Sequence, residues 1–327
     1  PSLSPLSISI SPLSLSPPFQ RKWVWAVSVF LAVDLLVAGW GLNPGIDPGF
    51  YRGDAPTASR VREMLGEGRL FLPNQDEYDL TFERYFLFDT FEGDWETLRG
   101  SLLPNLNMLD GLPSANNFDP LLPERYVRWL DAVNRADPET QAKMLDLMGV
   151  RLIERVDPAN PAGVRFDPAG GLPRFRWTPC ARPANNADIV WDRLVGDPDG
   201  KFPGMVNLEG GQANAEWVCG DDRQMEATAQ ITKVSETPNQ LRVRVQSDTS
   251  GWLIIADTWY PGWRAQVDGK PARVLPADFV FRAIPTPPGT HEIVLTYQPF
   301  SFYLGAAVST VAWIGVAFTW VRGKRDE

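Results

Sequence analysis

WLIIADTWYPGWRAQVDGKPARVLPADFVFRAIPTPPGTHEIVLTY, residues 252–297, decides the fold class of the C-terminal part of the chain. Apolar and β-branched residues come in short runs, cut at brief intervals by Pro261-Gly262, Asp268-Gly269 and Pro287-Pro288-Gly289. Such runs bounded by turn residues read as strands, and Asp-Gly between two of them is the two-residue hairpin signal. Extending the pattern back through Thr237-Pro238-Asn239 predicts strands at 227–234, 241–247, 252–258, 263–267, 272–275, 279–284 and 292–297. Short strands at this density, spread over 225–299, predict a β-sandwich.

Upstream the pattern changes. Residues 43–224 read as an exterior α/β module with a loop-rich end. Thr57-Ala58-Ser59 opens a helix running to about Gly66, 94–99 reads as a short helix, and Pro123 precedes a helix reaching Arg135. On that helix Tyr126, Leu130 and Val133 share one apolar face. Asp137-Pro138 starts another helix that Gly149 ends, and 150–156 (VRLIERV) alternates as a strand. Gly66-x-Gly68 lacks the third glycine and the preceding strand of a dinucleotide loop. From 176 to 224 the sequence reads as loops, with Asp197-Pro198-Asp199-Gly200 as a turn rather than a calcium loop.

Two apolar runs frame this block. Residues 23–40 (WVWAVSVFLAVDLLVAGW) carry one charge, Asp34, and residues 302–321 (FYLGAAVSTVAWIGVAFTWV) carry none. About 20 helical residues cross a bilayer core of about 30 Å. Both runs therefore read as transmembrane helices, with tryptophans at their ends as interfacial anchors. A signal peptide is the alternative reading of the first. Arg21 and Lys22 precede the first run, and Arg322, Lys324 and Arg325 follow the second. Both termini are thus expected in the cytoplasm, including a low-complexity Ser/Pro tail at 1–20 and a basic tail at 322–327, with 41–301 outside it. The fold class expected is α+β and membrane-anchored: two transmembrane helices flanking an exterior α/β module and a C-terminal β-sandwich.

Charge and composition limit the chemistry. The chain of 327 residues carries a net −9. Five basic and three acidic residues lie outside 41–301, so the exterior block alone carries −11. An acidic exterior argues against nucleic acid. One histidine, His291, and two cysteines exclude the usual zinc sites. Cys180 and Cys219 either pair outside the cytoplasm, closing a loop worth about 3–4.5 kcal/mol, or remain buried thiols. Asp34, Trp25 and Trp313 are candidates for helix docking, Asp34 as an intramembrane carboxyl that calls for a partner. Ser28, Ser309 and Thr310 are available as its hydrogen-bond partners. Trp252, Trp259 and Trp263 are candidates for core packing or an exterior interface, with a carbohydrate platform as the lesser alternative. The carboxylates Asp47, Asp110, Asp119 and Asp221-Asp222 show no spacing that supports a glycosidase pair. No hydrolase, zincin or P-loop motif occurs, so no catalytic, metal or cofactor residue is assigned.

Residues 257–305 resemble the C-terminal end of the bacterial YfhO-type membrane proteins. The likeness rests on Tyr260-Pro261-Gly262-Trp263, Asp268-Gly269, Phe281-Arg282-Ala283, Pro288-Gly289, and Tyr297 with Pro299 ahead of an apolar helix. Stretches at 33–51, 63–71, 103–130 and 144–153 look similar in the same order. The resemblance implies kinship with polyprenyl-phosphate-dependent glycosyltransferases, whose catalytic carboxylate lies in an early exterior loop ahead of this region. No such residue transfers to this chain. The expectation is a non-catalytic accessory subunit that docks on other membrane-protein subunits in a bacterial cytoplasmic membrane. The alternatives are a glycan or lipid-glycan binding module, or an auxiliary part of a glycosyltransferase whose catalytic bundle is another chain.

Overall fold

The computed structural model describes residues 17–39, 48–85, 95–116, 118–119, 121–195, 205–210 and 228–323. The chain divides into two units, Pro1–Gly53 and Asp54–Glu327.

The first unit holds helix α1 (Pro17–Ala38) and a 3₁₀ turn, Pro48–Tyr51. Helix α1 begins inside the stretch expected to be tail; Pro17 and Pro18 sit where proline is tolerated, in the first helical turn. No eighteen-residue stretch of α1 avoids Arg21, Lys22 and Asp34. Among the described residues only one stretch, Phe300–Phe318, is long and apolar enough to cross a membrane, with a mean hydropathy of 1.6. The expected pair of membrane helices thus reduces to one span of sufficient apolarity and a second helix with three charges.

The second unit opens with helices on a small sheet. They are α2 (Ala58–Leu65), α3 (Asn74–Tyr78), a π-helix (Asp79–Tyr85), α4 (Trp95–Gly100), α5 (Glu124–Arg135) and α6 (Pro138–Leu147). Strand β1 (Arg69–Phe71) runs parallel to β2 (Val150–Val156), and β3 (Val164–Pro168) runs antiparallel on its other edge. Ala58, Val61 and Leu65, at helical spacing, bury one face of α2 against Leu70 and Leu152. Asp137 caps α6, accepting from the amides of Glu139 and Thr140. Gly149 (φ 75°) turns the chain out of α6, a backbone conformation that favours glycine.

Two larger sheets follow. Their strands are β4 (Phe175–Thr178), β5 (Ala181–Ala184), β6 (Val206–Glu209), β7 (Ala229–Thr237), β8 (Gln240–Ser247), β9 (Gly251–Ile255), β10 (Trp263–Val267), β11 (Lys270–Ala272), β12 (Leu275–Ala277), β13 (Phe281–Thr286) and β14 (Gly289–Tyr297). One sheet has the order β11-β10-β14-β8-β7, the other β4-β9-β13-β12-β6-β5. Helix α7 (Ala187–Val195) lies between β5 and β6 in the chain.

Three features depart from the sequence reading. The segment expected to be loop-rich supplies three strands and a helix, so the second sheet of the sandwich draws on residues well before 225. Its four-residue strands are too short to show a period, and β5 carries Pro183, which is tolerated because β5 is an edge strand. The single strand expected at 272–275 is two: β11 in one sheet and β12 in the other, with the chain crossing between them at Arg273 and Val274. Last, β9 is buried along its whole length. Leu253 and Ile255 meet Val243, Val245, Ile293 and Leu295 of the five-stranded sheet, whereas Trp252 and Ile254 pack with Trp129, Val133, Met144 and Leu145 of α5 and α6. The six-stranded sheet is therefore a middle layer, with a sheet on one side and helices on the other. Truncating a fully buried leucine such as Leu253 to alanine costs about 2–5 kcal/mol.

Helix α8 (Phe300–Gly323) follows β14 after two residues.

Candidate functional site

Asp257, two residues past β9, is the centre of an ion-pair network. Its Oδ1 accepts from Arg69 Nη2 at 2.5 Å and from Arg174 Nε at 2.9 Å, and its Oδ2 accepts from Arg174 Nη2 at 2.8 Å. Arg69 is fixed at the start of β1, where Nη1 also donates to the carbonyls of Met148 and Ala256. Arg174, just before β4, spans Asp257 and Glu236 on β7, the latter through Nη1 at 3.0 Å and Nη2 at 2.6 Å. Lys233 Nζ reaches Glu236 at 3.3 Å. Three sheets thus contribute to one cluster of three cations and two carboxylates, with Arg282 beside it as a fourth cation.

Burial would raise the Asp257 pKa, but the Arg174 hydrogen bonds and the charges of Arg69, Arg174 and Arg282 overcome it and hold the carboxyl well below its usual range. Arg174 shows the converse: burial works against its charge, and the two carboxylates more than offset this.

Arg282, on β13, sits differently. Its Nε donates to Thr258 O at 2.9 Å, and its guanidinium lies 3.9 Å above the Trp263 ring. Nη1 is 3.9 Å from Asp257 Oδ2, beyond hydrogen-bond reach. The residue is 4% exposed, and burial lowers its pKa against the pull of Asp257. Beneath it Tyr260, Trp263 and Tyr297 form an aromatic triangle with centroid separations of 5.3–6.3 Å. Gly262 (φ 111°) lets the Tyr260–Trp263 turn close on Tyr297 and Pro299: a Cβ there would lie 2.8 Å from the Tyr297 ring. Gly262 O also accepts from Gln298 N at 2.7 Å. This turn ties the cluster to the two-residue link between β14 and α8.

The network, with Tyr260 and Tyr297 of the aromatic triangle, lines part of a groove of about 1080 Å³. The other walls come from residues 66–69 and 105–126. Asn107 and Asn116 in these walls are committed to backbone groups. Asn116 both accepts from and donates to Leu72, and Asn107 accepts from Asn105 N and donates to Leu112 O. Tyr126 donates to Ala115 O, and burial pushes its pKa up to about 12.

Residues 222–309, about a quarter of the chain, match the family model described as bacterial membrane protein YfhO. This segment is similar to that family. It contains Asp257, Arg282, the aromatic triangle and the first turns of α8. The match concerns these residues alone, and the family it describes is one of bacterial membrane proteins. Searches of curated proteins and of solved structures found no match.

The residues singled out in the sequence fall in several places. Trp263 is in the triangle. Trp259 packs against Arg125, 5.4 Å from its ring, and donates to Val274 O at 3.4 Å. Trp252 is 4% exposed and belongs to the core between the middle sheet and α5, so it is no exterior interface residue. Core packing, the other role open to these tryptophans, is what Trp252 takes, so it has no face to offer a sugar. Trp25 and Trp313 are 70% and 74% exposed on their helices. Asp34 is exposed on α1, and Thr310 donates to Ala306 O within α8. Cys180 is fully buried and disulfide-bonded; Cys219 lies outside the described residues, as do Asp47, Asp221-Asp222 and the Asp197–Gly200 turn. Asp110 is structural, accepting from Ala55 N and from buried Arg99. Among the described residues no group of His, Cys, Asp and Glu could hold a metal.

Asp257, Arg69 and Arg174 carried no local signal in the sequence, since their partners lie 83–188 positions apart. The motifs of the resemblance did point here: Tyr260–Trp263, Phe281–Ala283, Tyr297 and Pro299 converge on this one spot.

Proposed function

We propose that this chain is a non-catalytic accessory subunit of a larger membrane assembly. Helix α8, and α1 with it, docks among other membrane-protein subunits and holds the mixed α/β block over the exterior face. The observation that carries the reading is the state of α8. None of Phe300–Phe318 is buried within the chain, and Phe302, Val311, Trp313 and Ile314 are each at least 63% exposed. Lipid satisfies such a surface, but α8 also carries Gly305, Ala306, Ser309 and Gly315, small residues that let another helix approach closely. Basic residues at both ends favour cytoplasmic termini, with Asp34 of α1 meeting a polar group on a neighbouring subunit.

The network around Asp257 supports a structural role. Its carboxylate is saturated by arginines, which leaves it neither base nor nucleophile. Extraction from native membranes in mild detergent tests the proposal. The chain should elute with other polypeptides at fixed ratio; elution as a monomer with none contradicts it.

A glycan-binding reading rests on the groove beside α8. Its weakness is that Asn107 and Asn116, the side chains best suited to sugar hydroxyls, already bond to backbone.

A further inference from the structure

We propose that the groove end formed by Arg282, Arg69, Arg174 and Lys233 binds the phosphate of an anionic phospholipid headgroup from the leaflet that α8 enters. The inference rests on α8 as the membrane anchor. Four cations and two carboxylates make one connected network with a surplus of two positive charges. The two other acids in the groove wall, Glu67 and Asp119, lie outside it; Asp119 accepts from Leu121 N instead. A surplus charge held away from water is costly unless a counter-charge completes it.

Arg282 gives that counter-charge a definite place. Apart from Nε, it makes no hydrogen bond among the described residues, and it lines the groove with 4% of its surface exposed. Trp263 and Tyr260 hold its plane from beneath, at 3.9 and 5.7 Å. A fixed guanidinium fork of this kind matches two phosphate oxygens at once. Lys233, on the outer strand β7 and half exposed, supplies a second cation.

Position selects the source of the phosphate. Tyr297 lines the groove and α8 begins at Phe300, so the groove end lies within about 10 Å of the first helical residue. The headgroup layer on each side of the hydrocarbon core is about 5–7 Å deep. A headgroup beside α8 therefore meets the groove end at the membrane boundary. The surplus of two also favours a headgroup with net negative charge over a zwitterionic one.

The test uses the full chain in uncharged detergent, titrated with short-chain phosphatidylglycerol, phosphatidylcholine of equal chain length, and inorganic phosphate. Binding is read by native mass spectrometry and by tryptophan fluorescence. Partition of the lipid-free chain into micelles reports anchoring separately, so failure of the anchor is not mistaken for failure of the site. Phosphatidylglycerol should bind saturably and about tenfold more tightly than phosphatidylcholine, because both bring the phosphate but the choline cation of the latter is repelled by the surplus positive charge. Arg282→Gln should abolish that preference, and Lys233→Gln should weaken it several-fold. Equal binding of the two lipids, or unchanged preference in Lys233→Gln and in a folded Arg282→Gln, overturns the proposal. If Arg282→Gln fails to fold, Lys233→Gln decides, because the Lys233 side chain is 47% exposed. Inorganic phosphate competing as strongly as the lipid overturns the lipid source and leaves a free-anion site.

Discussion

Asp257 shows how far one residue can organise a site. It follows a strand buried on both faces, which brings the carboxylate to the end of the middle sheet. There it collects arginines from β1 and from the residue before β4. Replacing it by asparagine leaves three guanidiniums facing one another, and breaking a buried pair in this way costs about 3–5 kcal/mol. The pH dependence has a definite sign. The folded pKa lies below the ordinary carboxyl value of 3.8, so the contribution is complete above that value and is lost as pH falls through the folded pKa. Thermal melts of Asp257→Asn should fall well below wild type at pH 7 and converge with it in strong acid. Equal melting temperatures at pH 7 would mean that the network does not hold the sheets together. From the sequence, Asp257 was one acid among 40 Asp and Glu. Its partners come from distant segments, and no local pattern announces them.

Elements were legible where their determinants are local. The β10–β11 hairpin is an example. Asp268 (φ 50°) and Gly269 (φ 77°) both take the left-handed conformation, and Val267 pairs with Lys270 across a two-residue turn. Helices α5 and α6 and strand β2 were readable for the same reason, from proline, cap and period. Strands β4, β5 and β6 were not, because four residues carry no period and their pairing partners are remote. The turn of this hairpin also meets the sole histidine, on the neighbouring strand β14. His291 Nδ1 is 2.6 Å from Asp268 Oδ2, and Nε2 is 2.9 Å from Pro288 O. The Asp268 hydrogen bond, aided by Pro288 O, raises the His291 pKa above 6.5, and the same contact lowers that of Asp268. The ion pair therefore stabilises fully below pH 6.5 and above about 3.8, and weakens as pH rises through the folded histidine pKa. With one histidine in the chain, its imidazole proton resonance is unambiguous by NMR. Asp268→Asn, which tolerates the same backbone, should lower the titration midpoint. An unchanged midpoint would show that the pair is not formed in solution.

At the scale of the whole molecule, averages conceal what matters. A mean hydropathy of −0.20 combines a helix made for lipid with a block made for water. Residues 41–301, at −11, read as repelling anionic surfaces, yet they contain a cationic network near the start of α8. Charge summed along a chain says nothing about charge gathered by folding. The membrane character was legible at α8, where apolarity is continuous, and less so at α1, where Arg21, Lys22 and Asp34 interrupt it. The partner that covers α8 was not legible at all, since a helix surface states its chemistry and not its occupant. The most direct test is photo-crosslinking from α8 in native membranes, with a benzophenone side chain replacing Trp313, which is 74% exposed. A discrete crosslink to another polypeptide, lost when the same group is moved to the hairpin tip, is the predicted result. Adducts with lipid alone would contradict docking and leave α8 as a simple anchor.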